Sequence, residues 1–189
     1  MSRIILIETS TALCSTALAI DGRIAESRES REPRAHAAMT AVFVSQMLDS
    51  QGLKAADCDA VCVSAGPGSY TGLRVGSSTA KGLCFASGRP LLAVGTLEVL
   101  AWQAVCDGLL PEGCRHIVPL VDARRMEVYT AVFSTEMRRL DDVRPMVVDG
   151  GSFADILAEG PVLFIGDGAE KCSQVISSPN ARFVQACPR

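Results

Sequence analysis

The chain has 189 residues, 48% of them hydrophobic, and a formal net charge of −3. That length suits one compact domain or two small lobes with genuine cores. The composition lacks the basic cluster of a protein that grips nucleic acid unaided, and no apolar run approaches a membrane span of about 20 residues.

In chain order, residues 4–7, 14–20 and 23–28 read as strands, with Asp21-Gly22 as the hairpin turn between the last two. The apolar start runs straight into Glu8-Thr9-Ser10, which argues against a signal peptide. A helix is expected over about 36–50 and a strand over 60–65. The run Gly66-Pro67-Gly68-Ser69-Tyr70-Thr71-Gly72 then opens a second helix reaching about residue 86, with Ser69 or Thr71 as its N-cap. A strand at 91–94 and a helix at 97–105 lead into a second set of elements. These are strands at 116–121, 126–133 and 144–148, a helix at 152–158, a strand at 162–165 and a helix at 169–176. A strand-like 182–186 closes the series. Strand-strand-strand-helix-strand-helix occurs twice, so the chain reads as an α/β protein of two related lobes, 1–107 and 108–189.

Eight cysteines raise the question of zinc or disulfides. Cys14, Cys62, Cys84 and Cys106 lie in apolar stretches, and no two pairs have zinc-site spacing, so buried free thiols are expected.

Several motifs invite chemistry. The turn at Gly66-Pro67-Gly68 gathers backbone N–H groups at a helix start, an arrangement that favours anions. It departs from a Walker loop, because no Gly-Lys-Ser/Thr follows, and from a dinucleotide fingerprint, because Pro67 removes an N–H and no acid follows about 20 positions on. A tight turn with a capped helix is the plainer reading. Gly166-Asp167-Gly168 follows a strand and precedes a helix. Turn chemistry with Asp167 as helix cap accounts for it, and a nucleoside contact is the functional alternative. In the second helix Gly72, Gly76, Ala80, Cys84 and Gly88 recur every fourth residue. Each helical glycine costs about 1 kcal/mol against alanine, so another backbone is expected to approach there. The preceding helix carries Met39, Phe43 and Met47 on one stripe. Such a stripe is ordinarily core, but its adaptable methionines beside a small-residue face suggest an interface.

The motif from Ser64 to Gly76, with Ala80-Lys81-Gly82-Leu83, Ile4-Ile5-Leu6-Ile7-Glu8-Thr9-Ser10, Val121-Asp122-Ala123-Arg124-Arg125 and Glu127-Val128-Tyr129, resembles the TsaB (YeaZ) family of tRNA threonylcarbamoyladenosine biosynthesis proteins. The resemblance spans most of the chain. It implies an actin-like ATPase (ASKHA) fold built of duplicated βββαβα lobes. It also implies a final helix packing back on the first lobe. This chain stops at Cys187-Pro188-Arg189, so the second lobe is expected to lack that helix and one lobe to carry an exposed apolar face.

The family implies a non-catalytic subunit of the bacterial complex that modifies the adenosine beside the tRNA anticodon. It would activate or stabilise a TsaD-like catalytic partner and help dock a TsaE-like ATPase. It would be a homodimer when alone, pairing through its first two helices, and would be cytoplasmic. Contact with tRNA would come only through the complex. Met39, Phe43, Met47, Gly72, Gly76 and Ala80 are the implied interface. Glu8, Thr9, Ser10, Gly66, Gly68 and Asp122 occupy positions where active actin-like relatives hold magnesium and phosphate. Asp122-Ala123-Arg124 lacks the phosphate-approaching glycine, so ATP or ADP with magnesium is expected to bind at best weakly. TsaD-like proteins carry a metal-binding HxxxH, whereas His36 is followed at that spacing by Thr40. No metal site or proteolysis is expected. The alternatives are a stand-alone actin-like ATPase or kinase, and a homodimeric binding module.

Overall fold

A computed structural model describes residues 1–32 and 34–189. The chain divides into two compact units, Met1–Thr96 (with Arg189) and Leu97–Pro188.

The first unit contains β1 (Arg3–Glu8), β2 (Cys14–Ile20), β3 (Arg23–Ser30), α1 (Ala35–Ser50), β4 (Ala60–Ser64), α2 (Tyr70–Ser87) and β5 (Leu91–Val94). Its five strands lie in the order β3-β2-β1-β4-β5. The hairpin partners run antiparallel, while β1, β4 and β5 run parallel through the helical crossovers. Side chains alternate across a strand. Ile5, Ile7, Leu18, Val61 and Val63 therefore share one face, where Val44, Met47 and Leu48 of α1 and Ala80 of α2 bury them. On the other face Ile4, Leu6, Ala17, Ala19 and Cys62 are only partly buried, and Leu92 is 43% exposed. Among the described residues of this unit, no helix covers that face.

The second unit holds most of α3 (Thr96–Cys106), then β6 (His116–Asp122), β7 (Glu127–Thr130), β8 (Phe133–Ser134), β9 (Arg144–Val147), α4 (Ala154–Glu159), β10 (Val162–Gly166), α5 (Ala169–Ser173) and β11 (Ala181–Gln185). Its order, β11-β10-β6-β7-β9, repeats that of the first unit read from β5 to β3, with β8 added against β6. The duplication expected from the sequence is present, and the architecture is the actin-like ATPase type. Here both sheet faces are covered. Val118, Leu120, Val162 and Phe164 meet α4 and α5, while Ile117, Val121, Leu163 and Ile165 meet Leu97, Leu100, Ala101 and Ala104 of α3. Every residue of β10 is buried, as a parallel strand clad on both sides requires.

Three expectations shift. The helix after β5 was expected in the first lobe, 1–107. Its apolar face instead builds the second unit's core, so the units part at Thr96–Leu97. The strand expected over 126–133 breaks into β7 and β8, because the Val132 N–H donates to the Asp141 carboxylate and its carbonyl accepts from Leu140 N–H, outside the ladder. The helix expected over 169–176 ends at Ser173.

Candidate functional site

The first candidate turn follows β1. Glu8 is 6% exposed. One carboxylate oxygen accepts from Ser10 N–H at 2.6 Å, and the other accepts from the Ser64 hydroxyl at the end of β4. Burial pushes the Glu8 pKa above its ordinary value, against the lowering effect of the Ser10 and Ser64 hydrogen bonds. The carboxylate is thus committed to its own turn.

The glycine-rich segment lies directly on that turn. Ser69 N–H donates to the Ser10 carbonyl at 2.6 Å. Ser69, rather than Thr71, caps α2, its hydroxyl accepting from Gly72 N–H at 3.2 Å. A Cβ on Gly68 would collide with the Ser10 carbonyl, and one on Gly72 with the Thr9 carbonyl. A Cβ on Gly76 would collide with the Thr9 hydroxyl. That hydroxyl donates to the Gly72 carbonyl at 2.9 Å. Gly66 sits at φ +104°, and its carbonyl accepts from Thr96 N–H at 2.8 Å.

The close backbone approach predicted for the α2 glycines is real, but the approaching backbone is the chain's own Thr9. Gly72, Gly76 and Ala80 are buried inside the first unit, so they do not present a face to a partner. The methionine stripe is also core: Met47 is fully buried, Phe43 is 8% exposed, and Met39 packs against the cluster of Cys14, Ala35 and Phe43. The outward faces of the two helices are what sequence reasoning missed. Ala37, Ala38, Ala41, Val42 and Ser45 are exposed on α1, and Arg74, Ser78, Lys81 and Gly82 on α2. Phe85 is 94% exposed and Tyr70 is 69% exposed. A groove of about 240 Å³ between the helices is lined by Ala41, Ser45, Leu48, Leu53 and Leu83. An uncharged, alanine-rich outer face on a helix of this length was the legible signal.

The equivalent turn of the second unit follows β6. The Asp122 carboxylate is paired with Lys171 of α5 at 2.5 Å and also accepts from Arg124 N–H at 2.7 Å. Lys171 further donates to the carbonyls of Arg125 at 2.9 Å and Glu127 at 2.6 Å. Asp167 does not cap α5. Its carboxylate accepts from Asp122 N–H at 2.8 Å, and burial raises its pKa. Gly166, at φ +142°, lets the chain pass the Leu120 carbonyl.

His36 is held by its own unit, the ring Nε2 lying 2.9 Å from the Thr11 carbonyl. Thr40, at the HxxxH spacing, is buried and donates to the His36 carbonyl at 2.6 Å. Among the described residues no three His, Cys, Asp or Glu side chains converge. All eight cysteines are free thiols, and burial raises Cys172 to about 11. A separate cleft of about 520 Å³ in the second unit, lined by Val132, Asp141, Met146 and Phe153 among others, contains none of the residues singled out from sequence. Among the described residues no helix is long and apolar enough to cross a membrane.

Similarities to known proteins accompany this geometry. The family described as TsaD, tRNA N6-adenosine threonylcarbamoyltransferase, matches residues 27–178. The tRNA threonylcarbamoyladenosine biosynthesis protein TsaB of Escherichia coli K12 is 34% identical over 134 residues, 71% of this chain and 56% of that protein. The Bacillus subtilis protein of the same name is 34% identical over 148 residues, covering 75% and 60%. This chain therefore spans less than two thirds of the length of these relatives. Among solved structures, a Pseudomonas aeruginosa protein described as similar to peptidase YeaZ superposes with a TM-score of 0.85 at 30% identity, covering all of this chain and 86% of that one. YeaZ from Pseudomonas aeruginosa superposes with a TM-score of 0.83 at 29% identity, with the same coverage.

Proposed function

The chain belongs to the TsaB (YeaZ) family, and from that membership we propose that it is a non-catalytic subunit of the bacterial threonylcarbamoyl transferase complex. In this reading it binds a TsaD-like catalytic partner and holds it in its competent state. The complex modifies the adenosine beside the tRNA anticodon, and a TsaE-like ATPase docks on the assembly. Favouring one state of a partner requires only tighter binding to that state, with no covalent chemistry in this chain. The protein would work in the cytoplasm and pair with itself when alone.

The observation that carries the non-catalytic reading is that both turns are already filled. Glu8 is buried under Ser64 and Ser10, the Gly68 cradle is occupied by the Ser10 carbonyl, and Asp122 is neutralised by Lys171. A magnesium ion wants accessible carboxylate or water oxygens; Glu8 is buried, and the exposed Asp122 already carries a cation in Lys171. These residues do not fit a tight magnesium–nucleotide site, so ATP or ADP would bind at best weakly. We assign the partner surface to the outward faces of α1 and α2, which expose Val42, Gly82 and Phe85. A phenylalanine exposed on such a face suits a buried anchor at an interface.

The test is co-purification with the TsaD homologue of the same organism, followed by calorimetry. Phe85→Ser should weaken association at least tenfold at an unchanged melting temperature. Wild-type affinity in that variant would remove the surface assignment. Submicromolar magnesium-ATP binding with steady turnover by the isolated chain would replace the whole reading with the enzyme one.

A further inference from the structure

Arg124 and Arg125 both adopt the left-handed backbone region, at φ +71° and +48°. Glycine, asparagine and aspartate are the usual occupants there, because a Cβ is crowded by the following carbonyl. Asp21, Arg34, Met137 and Phe153 share this region. Asp21 shares a hairpin turn with Gly22, and Phe153 and Met137 turn their side chains into the second unit's core. Arg124 and Arg125 lie in the turn of the β6–β7 hairpin, where positive φ at successive residues suits the twist of the strands. Both are exposed, and among the described residues of their unit neither guanidinium has a hydrogen bond or ion pair.

The turn that displays them is nevertheless firmly built. Arg124 N–H is held by Asp122, Glu127 N–H donates to the Arg124 carbonyl at 3.1 Å, and Ala123 N–H donates to the Glu127 carbonyl at 3.0 Å. Lys171 clamps the Arg125 and Glu127 carbonyls and the Asp122 carboxylate together. The nearest acid on the turn is thereby neutralised. Asp167 is occupied by the Asp122 backbone, which leaves Glu127 as the remaining carboxylate of the hairpin. Lys171, reaching across from α5, thus fixes a hairpin turn that presents two guanidiniums outward.

We propose that Arg124 and Arg125 form a two-point contact for the phosphodiester backbone of RNA. The assignment to RNA rests on the tRNA-modifying role proposed above. Guanidinium forks match phosphate oxygens in pairs, and presentation from a clamped turn reduces the entropy lost on contact. A nucleotide triphosphate is the poorer fit: it arrives with magnesium, and the carboxylate that would help hold the metal is bound to Lys171. A phosphodiester needs no metal. Two contacts also agree with a net charge of −3, giving weak binding by the chain alone and a measurable increment inside a larger assembly.

The experiment measures binding of unfractionated tRNA from the same organism to the chain in complex with its TsaD-type partner, as a function of salt. Each phosphate contact adds about 0.7–0.9 to the slope of log affinity against log salt, so Arg124→Ala/Arg125→Ala should lower that slope by about 1.4–1.8. Affinity near 0.1 M salt should drop roughly 30-fold. Arg124→Lys/Arg125→Lys should keep most of the slope, because the charges remain. Arg124→Gly/Arg125→Gly should lose RNA binding like the alanine pair, yet melt no lower than wild type, since glycine relieves the left-handed strain. An unchanged slope in an intact complex overturns the proposal. So does a loss confined to magnesium-ATP. Light scattering reports complex formation before any RNA is added, so failure of the partner reading is seen separately. In that event the same tRNA is titrated into the chain alone at low salt, where equal binding by wild type and the alanine pair would sink the contact.

Discussion

The turns that follow β1 and β6 occupy equivalent places in the two halves of a duplicated topology, and each carries an acid, Glu8 or Asp122. They are closed by opposite means. In the first unit the acid is buried and bonded only to neutral donors, and glycines bring the next helix onto the turn. In the second unit the acid is partly exposed, matched by a lysine, and the turn is held open in a left-handed bend. One solution uses close packing and uncharged hydrogen bonds; the other uses a charge pair and leaves two guanidiniums free. The difference shows that equivalent turns in a duplicated topology can be closed by packing in one copy and by a charge pair in the other.

The comparison breaks first at the glycines. Gly76→Leu places a branched side chain against the Thr9 hydroxyl and the wall of Val63, with no room to yield. Overpacking of this kind costs about 1–3 kcal/mol, and a chain of this length should melt roughly 2–12 °C lower. A thermal melt within 2 °C or so of wild type would mean that the face is not internal after all.

The second unit should suffer less. Lys171→Met removes the counter-ion of Asp122 and two carbonyl contacts, but Asp122 can rehydrate, so a loss of about 1–2 kcal/mol is expected. Urea unfolding of Lys171→Met, Asp122→Asn and the double variant should show non-additivity, because the two groups act as one pair. Simple additivity would contradict the clamp.

Glu8→Gln sharpens the contrast through pH. Burial raises the folded-state pKa of Glu8 above its ordinary value of 4.5, so the folded chain holds this proton more tightly than the unfolded chain. The corresponding stability is fully present below pH 4.5 and is lost as pH rises through the folded-state pKa. The glutamine variant, which keeps the shape and stays neutral, should lack that part of the decline. Parallel stability profiles for the two proteins above pH 4.5 would contradict a strained carboxyl. The smallest effect is expected outside both turns. Phe85→Ser, on a 94% exposed side chain, should change unfolding free energy by no more than about 0.5 kcal/mol. A larger shift would show that Phe85 packs within the fold.

Much of the architecture was legible in the chain. Apolar runs in β1, β6 and β10 and the Gly66–Gly72 opening of α2 placed the elements and their repetition, because these signals are local. The site was less legible. The four-residue spacing of Gly72, Gly76 and Ala80 correctly demanded a close neighbour, yet spacing carries no information on whether that neighbour belongs to the same chain. Met39, Phe43 and Met47 likewise have the spacing of a face, and core and interface faces share one pattern.

The sequence by itself determined a duplicated α/β chain with a family signature, because periodicity, turn chemistry and a long mixed motif are properties of consecutive residues. Tertiary structure alone decided that Thr9 fills the glycine face, that α3 belongs with the second sheet, and that Lys171 reaches Asp122 from 49 positions away. Those outcomes depend on which surfaces meet once the strands have crossed over. The free energy of such meetings is set by burial and hydrogen-bond geometry across long sequence separations, to which a local pattern is blind.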